Sequence, residues 1–332
     1  MFKYKEDLEI KHIYSCCIAV NDFVKTSWKE VEENNDIIIN SGTKFLKNRK
    51  FVSWHNRVCQ EKNNDVKIFF GLYNLRLKKN IKYILYFEQW FPAIQNKAYF
   101  IWLKSNYNVK LVLMIANPII NKRYPLLQGV NIEDLRDYFD LIITDEKMDA
   151  NLYNIVYAPD VLSNFYLENQ ELKWDLFFAG SDKGRLDLIY QVMKSSKKNE
   201  VKANIMVVNT PFLCKHIQSI KEIPYSQIIE NDLKANCILE ILQPGQESYT
   251  TRMQEAVILK KKLLTNNKNV TSEKFYDPKY VQVFENPEHI DWEFVKKREK
   301  VSYEYQDEFS PYSFMSFIEK KLNEKDSESR RD

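Results

Sequence analysis

The sequence predicts an α/β protein of two successive doubly wound, mostly parallel sheets, two lobes with a cleft between them. Three observations predict it. Apolar runs of four to nine residues alternate with stretches of helical period, and such runs mark strands buried on both faces. The alternation breaks once, at the polar stretch 159–173, "PDVLSNFYLENQELK", and then restarts. The length of 332 residues, 44% of them hydrophobic, exceeds one typical core and fits about two.

In the first half, "HIYSCCIAV" at 12–20 reads as a buried strand, "DFVKTSWKEVEENN" as a helix and "DIIIN" as the next strand. "KYILYFE" at 82–88 and "VKLVLMIANP" at 109–118 are strands with a helical pattern between them. "IEDLRDYFD" is a helix, and "LIITD" and "NIVYAPD" are strands. In the second half, "WDLFFAG" leads to the helix "DKGRLDLIYQVMKSSKK", and "VKANIMVVN" to the helix "SQIIENDLKAN". "CILEIL" follows, then the helix "TTRMQEAVILKKK" and the strand "KLLTNN". "DWEFVKKREK" and "SPYSFMSFIEKKLNEK" are helical, and the end is a polar tail. The expected division is an N-terminal Rossmann-like domain at 1–160, a second at 161–322, and a tail at 323–332.

Composition narrows the function. Lys and Arg number 49 and Asp and Glu 46, a net charge of +3, too balanced to argue for nucleic acid. Five cysteines without a Cys-x-x-Cys pair and four scattered histidines point to reduced, buried thiols and no structural zinc. The stretch "MFKYKEDLEIKHIYSCC" carries charges where a signal peptide needs its apolar core. No run approaches the ~18 apolar residues that cross a bilayer. The expected location is therefore cytoplasmic, with peripheral contact to the membrane's inner face left open. That contact would use the basic, aromatic runs at 43–57 and 75–82. The plainer reading of these runs is a solvated basic face.

Ligands of open parallel sheets bind outside the carboxyl ends of the strands. Two loops of the second half stand there and hold three of the chain's six glycines, Gly180, Gly184 and Gly245. In the first, "FAGSDKGR", Gly180 is expected to turn the chain off its strand, and Lys183 and Arg185 open the next helix. Cations oppose the dipole at a helix N-terminus unless an anion sits there. They grip a diphosphate, or they belong to a solvated helix start with Asp182 offsetting Lys183. In the second loop, "QPGQESYTTRMQEAV", Pro244-Gly245 turns the chain, and Thr250 and Thr251 are hydroxyl donors at the helix start. Met253, Ala256 and Val257 face the sheet. Glu255, off that stripe, either meets a ribose or forms a surface pair with Arg252.

These stretches resemble the donor half of GT-B glycosyltransferases, nearest to bacterial enzymes of capsule, exopolysaccharide and lipopolysaccharide synthesis. The likeness rests on Gly180-x-x-Lys183-Gly184-Arg185, on Gln246-x-x-x-Thr250-x-Arg252-x-x-Glu255-Ala256 and on the "KLLTNN" strand. "YFDLIITDEKMDANLYNIVYAPD" at 138–160 resembles the strand leading out of their first domain. The resemblance implies a nucleotide-sugar donor of UDP or GDP type, with Lys183 and Arg185 on the diphosphate and Glu255 on the ribose. Thr250 and Thr251 support the diphosphate, and Pro224-Tyr225 with the residues after "NIMVVN" frame the base. It also implies a last helix that crosses back onto the first domain. The acceptor is a glycan, a lipid-linked sugar or a glycoprotein.

No Asp-x-Asp occurs, which fits a metal-independent leaving group held by Lys183, Arg185 and a helix dipole. No cofactor beyond the donor is expected. The N-terminal Gly-rich loop of many such enzymes is absent, Asn21-Asp22 standing in its place. Glu247 and Glu255 sit eight apart like the acidic pair of a large retaining group, though Ser248 and Tyr249 replace the usual glycines. Candidates for the base are Asp22 and Glu88, at expected carboxyl ends of strands, while Glu88 and His55 also read as structural residues. The alternative function is a non-catalytic GT-B-like subunit that binds and stabilises a partner transferase.

Overall fold

A computed structural model describes residues 13–17, 22–40, 50, 81–87, 97–119, 131–164, 170–208, 218–220 and 223–328. They form two units, Met1–Asp160 with Pro311–Asp332, and Val161–Ser310. Each holds a six-stranded, wholly parallel sheet, the α/β architecture that the alternation predicts.

In the first unit the strands are β1 (Ile13–Cys17), β2 (Ile37–Asn40), β3 (Ile81–Phe87), β4 (Lys110–Ile115), β5 (Leu141–Thr144) and β6 (Val156–Tyr157), in the order β2-β1-β3-β4-β5-β6. The helices between them are α1 (Asp22–Ser27), α2 (Lys97–Tyr107), α3 (Ile132–Arg136) and α4 (Lys147–Tyr153). β3 and β4 are buried along almost their whole length, with Leu85 opposite Val112 and Tyr86 opposite Leu113. That two-sided burial is why they read as unbroken apolar runs. Tyr86, Phe100 and Phe139 stack edge to face and at a tilt in the core beneath α2.

The last helix, Pro311–Glu328, belongs to this unit as well. Phe314 packs against Trp28, which packs against Phe87. Lys82 pairs with Glu319 at 2.8 Å and Lys110 with Asp326 at 2.6 Å. The sequence division ran the second domain on to residue 322 and left 323–332 as a tail. The chain instead returns at Pro311, and the helix continues to Glu328 because its far turns are tied to the first sheet.

The second unit contains β7 (Trp174–Ser181), β8 (Ala203–Val208), β9 (Gln218–Ile220), β10 (Ala235–Glu240), β11 (Lys262–Thr265) and β12 (Val281–Val283). Their order is β12-β11-β10-β7-β8-β9. From β7 the chain winds outward through β8 and β9, then returns to the other side of β7 and winds out through β10, β11 and β12. This is the dinucleotide-binding order, with its switch point between β7 and β10. The helices are α5 (Leu186–Lys198), α6 (Tyr225–Leu233), α7 (Thr251–Ile258) and α8 (Trp292–Lys296), which makes the returning helix Pro311–Glu328 α9. Three-residue β9 and β12 are too short to show a period, and the sequence reading lacks both. The predicted helix "DWEFVKKREK" is only α8, because the buried Lys262 ammonium donates to the carbonyls of Phe294 and Lys297 at 2.9 and 2.6 Å and stops it.

The Pro244-Gly245 turn is present. Gln246 N–H donates to the Gln243 carbonyl at 3.1 Å and Gly245 has φ 79°, as the third position of a type II turn requires. Gly245→Ala is expected to cost about 1 kcal/mol through backbone strain alone, since a Cβ there meets nothing within 4 Å. Chemical unfolding measures it.

Candidate functional site

Two loops leave the sheet on either side of the second unit's switch point. After β7, Lys183 (φ 45°) and Gly184 (φ 82°) make the turn in left-handed conformations. Gly180 still belongs to the strand, so it does not turn the chain as the sequence reading expected. Its task is to leave room. A Cβ there would meet Arg185 Nη2 at 2.9 Å and Phe178 Cζ at 3.2 Å. Arg185 folds back across this gap, with Nε donating to the Ser181 carbonyl at 3.2 Å and Nη1 to the carbonyl of Ile241. Its guanidinium lies 5.4 Å from the Phe178 ring centroid, a cation–π contact. One side chain thus reaches from the end of β7 to the end of β10. Burial pushes its pKa down to about 10, with the Glu240 charge opposing, so Arg185 stays cationic at neutral pH.

Asp182 serves the loop itself. Its carboxylate accepts from the N–H groups of Gly184 at 3.0 Å and Leu186 at 3.1 Å. It therefore occupies helix-start donors that a phosphate would take. Lys183 is exposed beside it.

After β10, Thr250 caps α7 and its hydroxyl accepts from Arg252 N–H at 3.1 Å. Thr251 opens the helix and is half-buried, as is Gln246. Glu247 is exposed, and its carbonyl accepts from Asn269 at 3.2 Å.

The second half of the motif lies elsewhere. Every residue from Arg252 to Ile258 is buried, because α6 covers the face of α7 that turns away from the sheet. Arg252 donates to both oxygens of Asp232 at 3.0 and 3.1 Å and pairs also with Glu255. The Tyr225 hydroxyl donates to Glu255 at 2.6 Å. Glu255 is wholly buried: its i, i+3 pair with Arg252 forms, but inside the protein rather than at the surface, and its other oxygen faces Tyr225 rather than solvent. Tyr225, expected near the base, is 6% exposed at the start of α6.

Glu240 is a residue that sequence reasoning missed. It ends β10, is 0% exposed, and accepts from Thr250 N–H and from the Thr265 hydroxyl, each at 2.6 Å. The signal was present, since a carboxylate closing an apolar run at a strand's carboxyl end has to find partners. Asp232 had no such signal, its partner Arg252 lying 20 positions on.

Burial raises the pKa of Asp232, Glu255, Glu240 and Asp149 above the ordinary 3.8 or 4.5. Two buried carboxylates share one guanidinium in the Arg252 network, which leaves a net negative charge away from water. A raised carboxyl pKa means that the folded chain binds more protons than the unfolded one between the two pKa values. The stability contribution is full below the unfolded pKa and is lost as pH rises through the folded one. The melting temperature is therefore expected to hold or rise between about pH 7.5 and about pH 5.5. A calorimetric scan checks this, and a steady fall over that range contradicts it.

Of the base candidates, Asp22 is the first residue of α1, which follows β1, and its side chain lies outside the description. Glu88, His55 and 209–217 lie outside the described residues, as do the basic runs apart from Lys50, Ile81 and Lys82. Among the described residues, no group of three or more His, Cys, Asp or Glu is placed to hold a metal ion. Among them, no helix is long and apolar enough to cross a membrane. Cys237 is buried and unpaired.

No family model and no curated protein matches the sequence. Among solved structures, the chain is similar to a UDP-N-acetylglucosamine 2-epimerase from Listeria monocytogenes (10% identity, TM-score 0.49, 95% of this chain and 97% of that one). It is similar to the UDP-GlcNAc 2-epimerase from Methanocaldococcus jannaschii (12% identity, TM-score 0.46, 94% and 99%). It also resembles the spinosyn forosaminyltransferase SpnP (9% identity, TM-score 0.44, 94% and 99%). At these values the likenesses carry nothing about activity, and the fold rests on the strand orders themselves.

Proposed function

We propose that the chain is a nucleotide-sugar-dependent glycosyltransferase of GT-B type. The donor lies outside the carboxyl ends of β7 and β10, and the first unit receives the acceptor. One observation carries the reading: the two motif loops flank the switch point of a dinucleotide-ordered sheet, and Arg185 reaches from one loop to the other. Arg185 and Lys183 take the diphosphate, with Gln246, Thr251 and the Thr250-capped start of α7 beside it. Gly180 makes room for Arg185. Tyr225, Arg252 and Glu255 hold α6 and α7 together behind the site.

A cationic pair and a helix start neutralise the departing nucleoside diphosphate without a metal. Asp22, Glu88 and Glu247 are the candidates to act on the acceptor hydroxyl or the sugar. The donor is of UDP or GDP type, and the sugar is a hexose moved onto a surface polysaccharide, lipid-linked or glycoprotein acceptor. The enzyme works in the cytoplasm, with peripheral contact at the inner membrane face.

A thermal-shift series with UDP, GDP, CMP and dTDP tests this. A ligand binding only the folded chain adds about 2.7 kcal/mol at a hundred times its Kd. At least one nucleotide is expected to raise the melting temperature, and no shift with any of them contradicts the reading. A second reading, a non-catalytic subunit that stabilises a partner transferase, is favoured by the commitment of Arg252, Glu255 and Tyr225 to one another. Nucleotide binding with no sugar released from any nucleotide sugar would support it.

A further inference from the structure

We propose that Glu240 is a positioning residue of this site: it fixes the first turn of α7 through Thr250 and, as a fixed buried charge behind Arg185, weakens the pull of that cation on an incoming diphosphate. The inference rests on the donor-site reading. Glu240 lies beside Thr265 in the β10–β11 register, and its two oxygens are used by two different elements. Oε1 accepts from the Thr250 N–H that begins α7, and Oε2 accepts from the Thr265 hydroxyl at the end of β11. Both donors are neutral, and a wholly buried carboxylate needs a charge partner. Arg185 supplies that charge without an ion-pair contact: its guanidinium is held at the carbonyl of Ile241, the next residue along, and each charge acts on the other through space. From the elements packed on Glu240, Thr250 and Thr265 bring no charge, while Arg185 comes from the start of α5.

An anion drawn to Arg185 therefore meets a fixed negative charge behind it. Removing that charge without removing its hydrogen bonds should tighten anion binding, the opposite of what a purely structural role predicts. Glu240→Gln does this. Its oxygen still accepts from Thr250 N–H, and its amide donates to Thr265 Oγ1, which keeps a lone pair after accepting from Asn267 N–H.

Calorimetric titration of the full chain with UDP and with GDP, from about pH 8 to about pH 5, is the test. E240Q is expected to bind at least about threefold tighter than the wild type at the alkaline end. The advantage should vanish as pH falls and Glu240 itself takes a proton. The ratio of the two affinities cancels the titration of the phosphate. E240A, which loses both hydrogen bonds, is expected to bind more weakly than E240Q at every pH. Equal affinity of wild type and E240Q throughout, or weaker binding by E240Q, overturns the proposal while leaving the donor reading in place. If E240Q does not fold, Thr265→Val replaces it. Loss of the hydroxyl donor then moves the acid limb of the affinity to higher pH, and no displacement overturns the proposal. If neither UDP nor GDP binds, the UDP- or GDP-type donor fails, and inorganic pyrophosphate decides the question for Glu240. The same ratio with pyrophosphate supports it, and no binding or a ratio of one overturns it.

Discussion

Replacing Arg252 with alanine is expected to lower the stability of the second unit by about 3–5 kcal/mol, the largest effect of any single change at the site. Arg252 is 6% exposed, and its guanidinium touches Asp232, 0% exposed, through two parallel hydrogen bonds, and Glu255 as well. Removing it leaves two carboxylates out of water with no cation, which is the costly way to break a buried pair. Arg252→Lys should recover only part of the loss, because an ammonium cannot make the two-pronged contact with Asp232. The triple change Arg252→Met, Asp232→Asn, Glu255→Gln should be less destabilising than Arg252→Ala alone, since no charge is then stranded. Denaturant unfolding together with hydrogen exchange in β10 and α7 checks these results. A loss below about 1 kcal/mol for Arg252→Ala would show that the network does not hold the two helices together.

Arg185→Ala should have the second largest effect, chiefly on binding. The side chain lies over Phe178 and reaches two strand-end carbonyls, which other donors can satisfy once it is gone. A charge-assisted contact to a phosphate is worth about 1.5–3 kcal/mol, so nucleoside diphosphate affinity should fall about 10- to 100-fold. Turnover should fall further, because the charge on the leaving diphosphate grows in the transition state. Melting temperature without nucleotide should also fall, because Glu240 is then a buried carboxylate without its opposing cation. Gly180→Val should mimic the loss by filling the space that the guanidinium occupies, with the arginine still present.

The two sheets were legible in the sequence because their central strands are buried on both faces. "KYILYF", "VKLVLMI", "DLFFA" and "CILEIL" have no solvent side to interrupt them. The loops at the switch point were legible for a different reason. A chain with six glycines spends three of them there, and two of those three adopt positive φ. What sequence hid was partnership across distance. Glu255 looks like a surface residue of an amphipathic helix until α6, 30 positions earlier, covers that face with Tyr225. Gly180 looked like a turn residue, and only the return of the Arg185 side chain shows that the missing atom is what matters. The return of α9 to the first unit, which the resemblance implies, rests on Phe314, Glu319 and Asp326, whose partners Trp28, Lys82 and Lys110 lie more than 200 positions away.

A crystal structure of the chain with UDP or GDP tests most directly whether a nucleoside diphosphate binds outside the carboxyl ends of β7 and β10. Phosphate oxygens are expected within hydrogen-bond reach of Arg185 and the start of α7, with Arg185 released from the Ile241 carbonyl. A nucleotide bound at any other edge of the sheet, or Arg185 still folded on Ile241 with no phosphate contact, would contradict this placement.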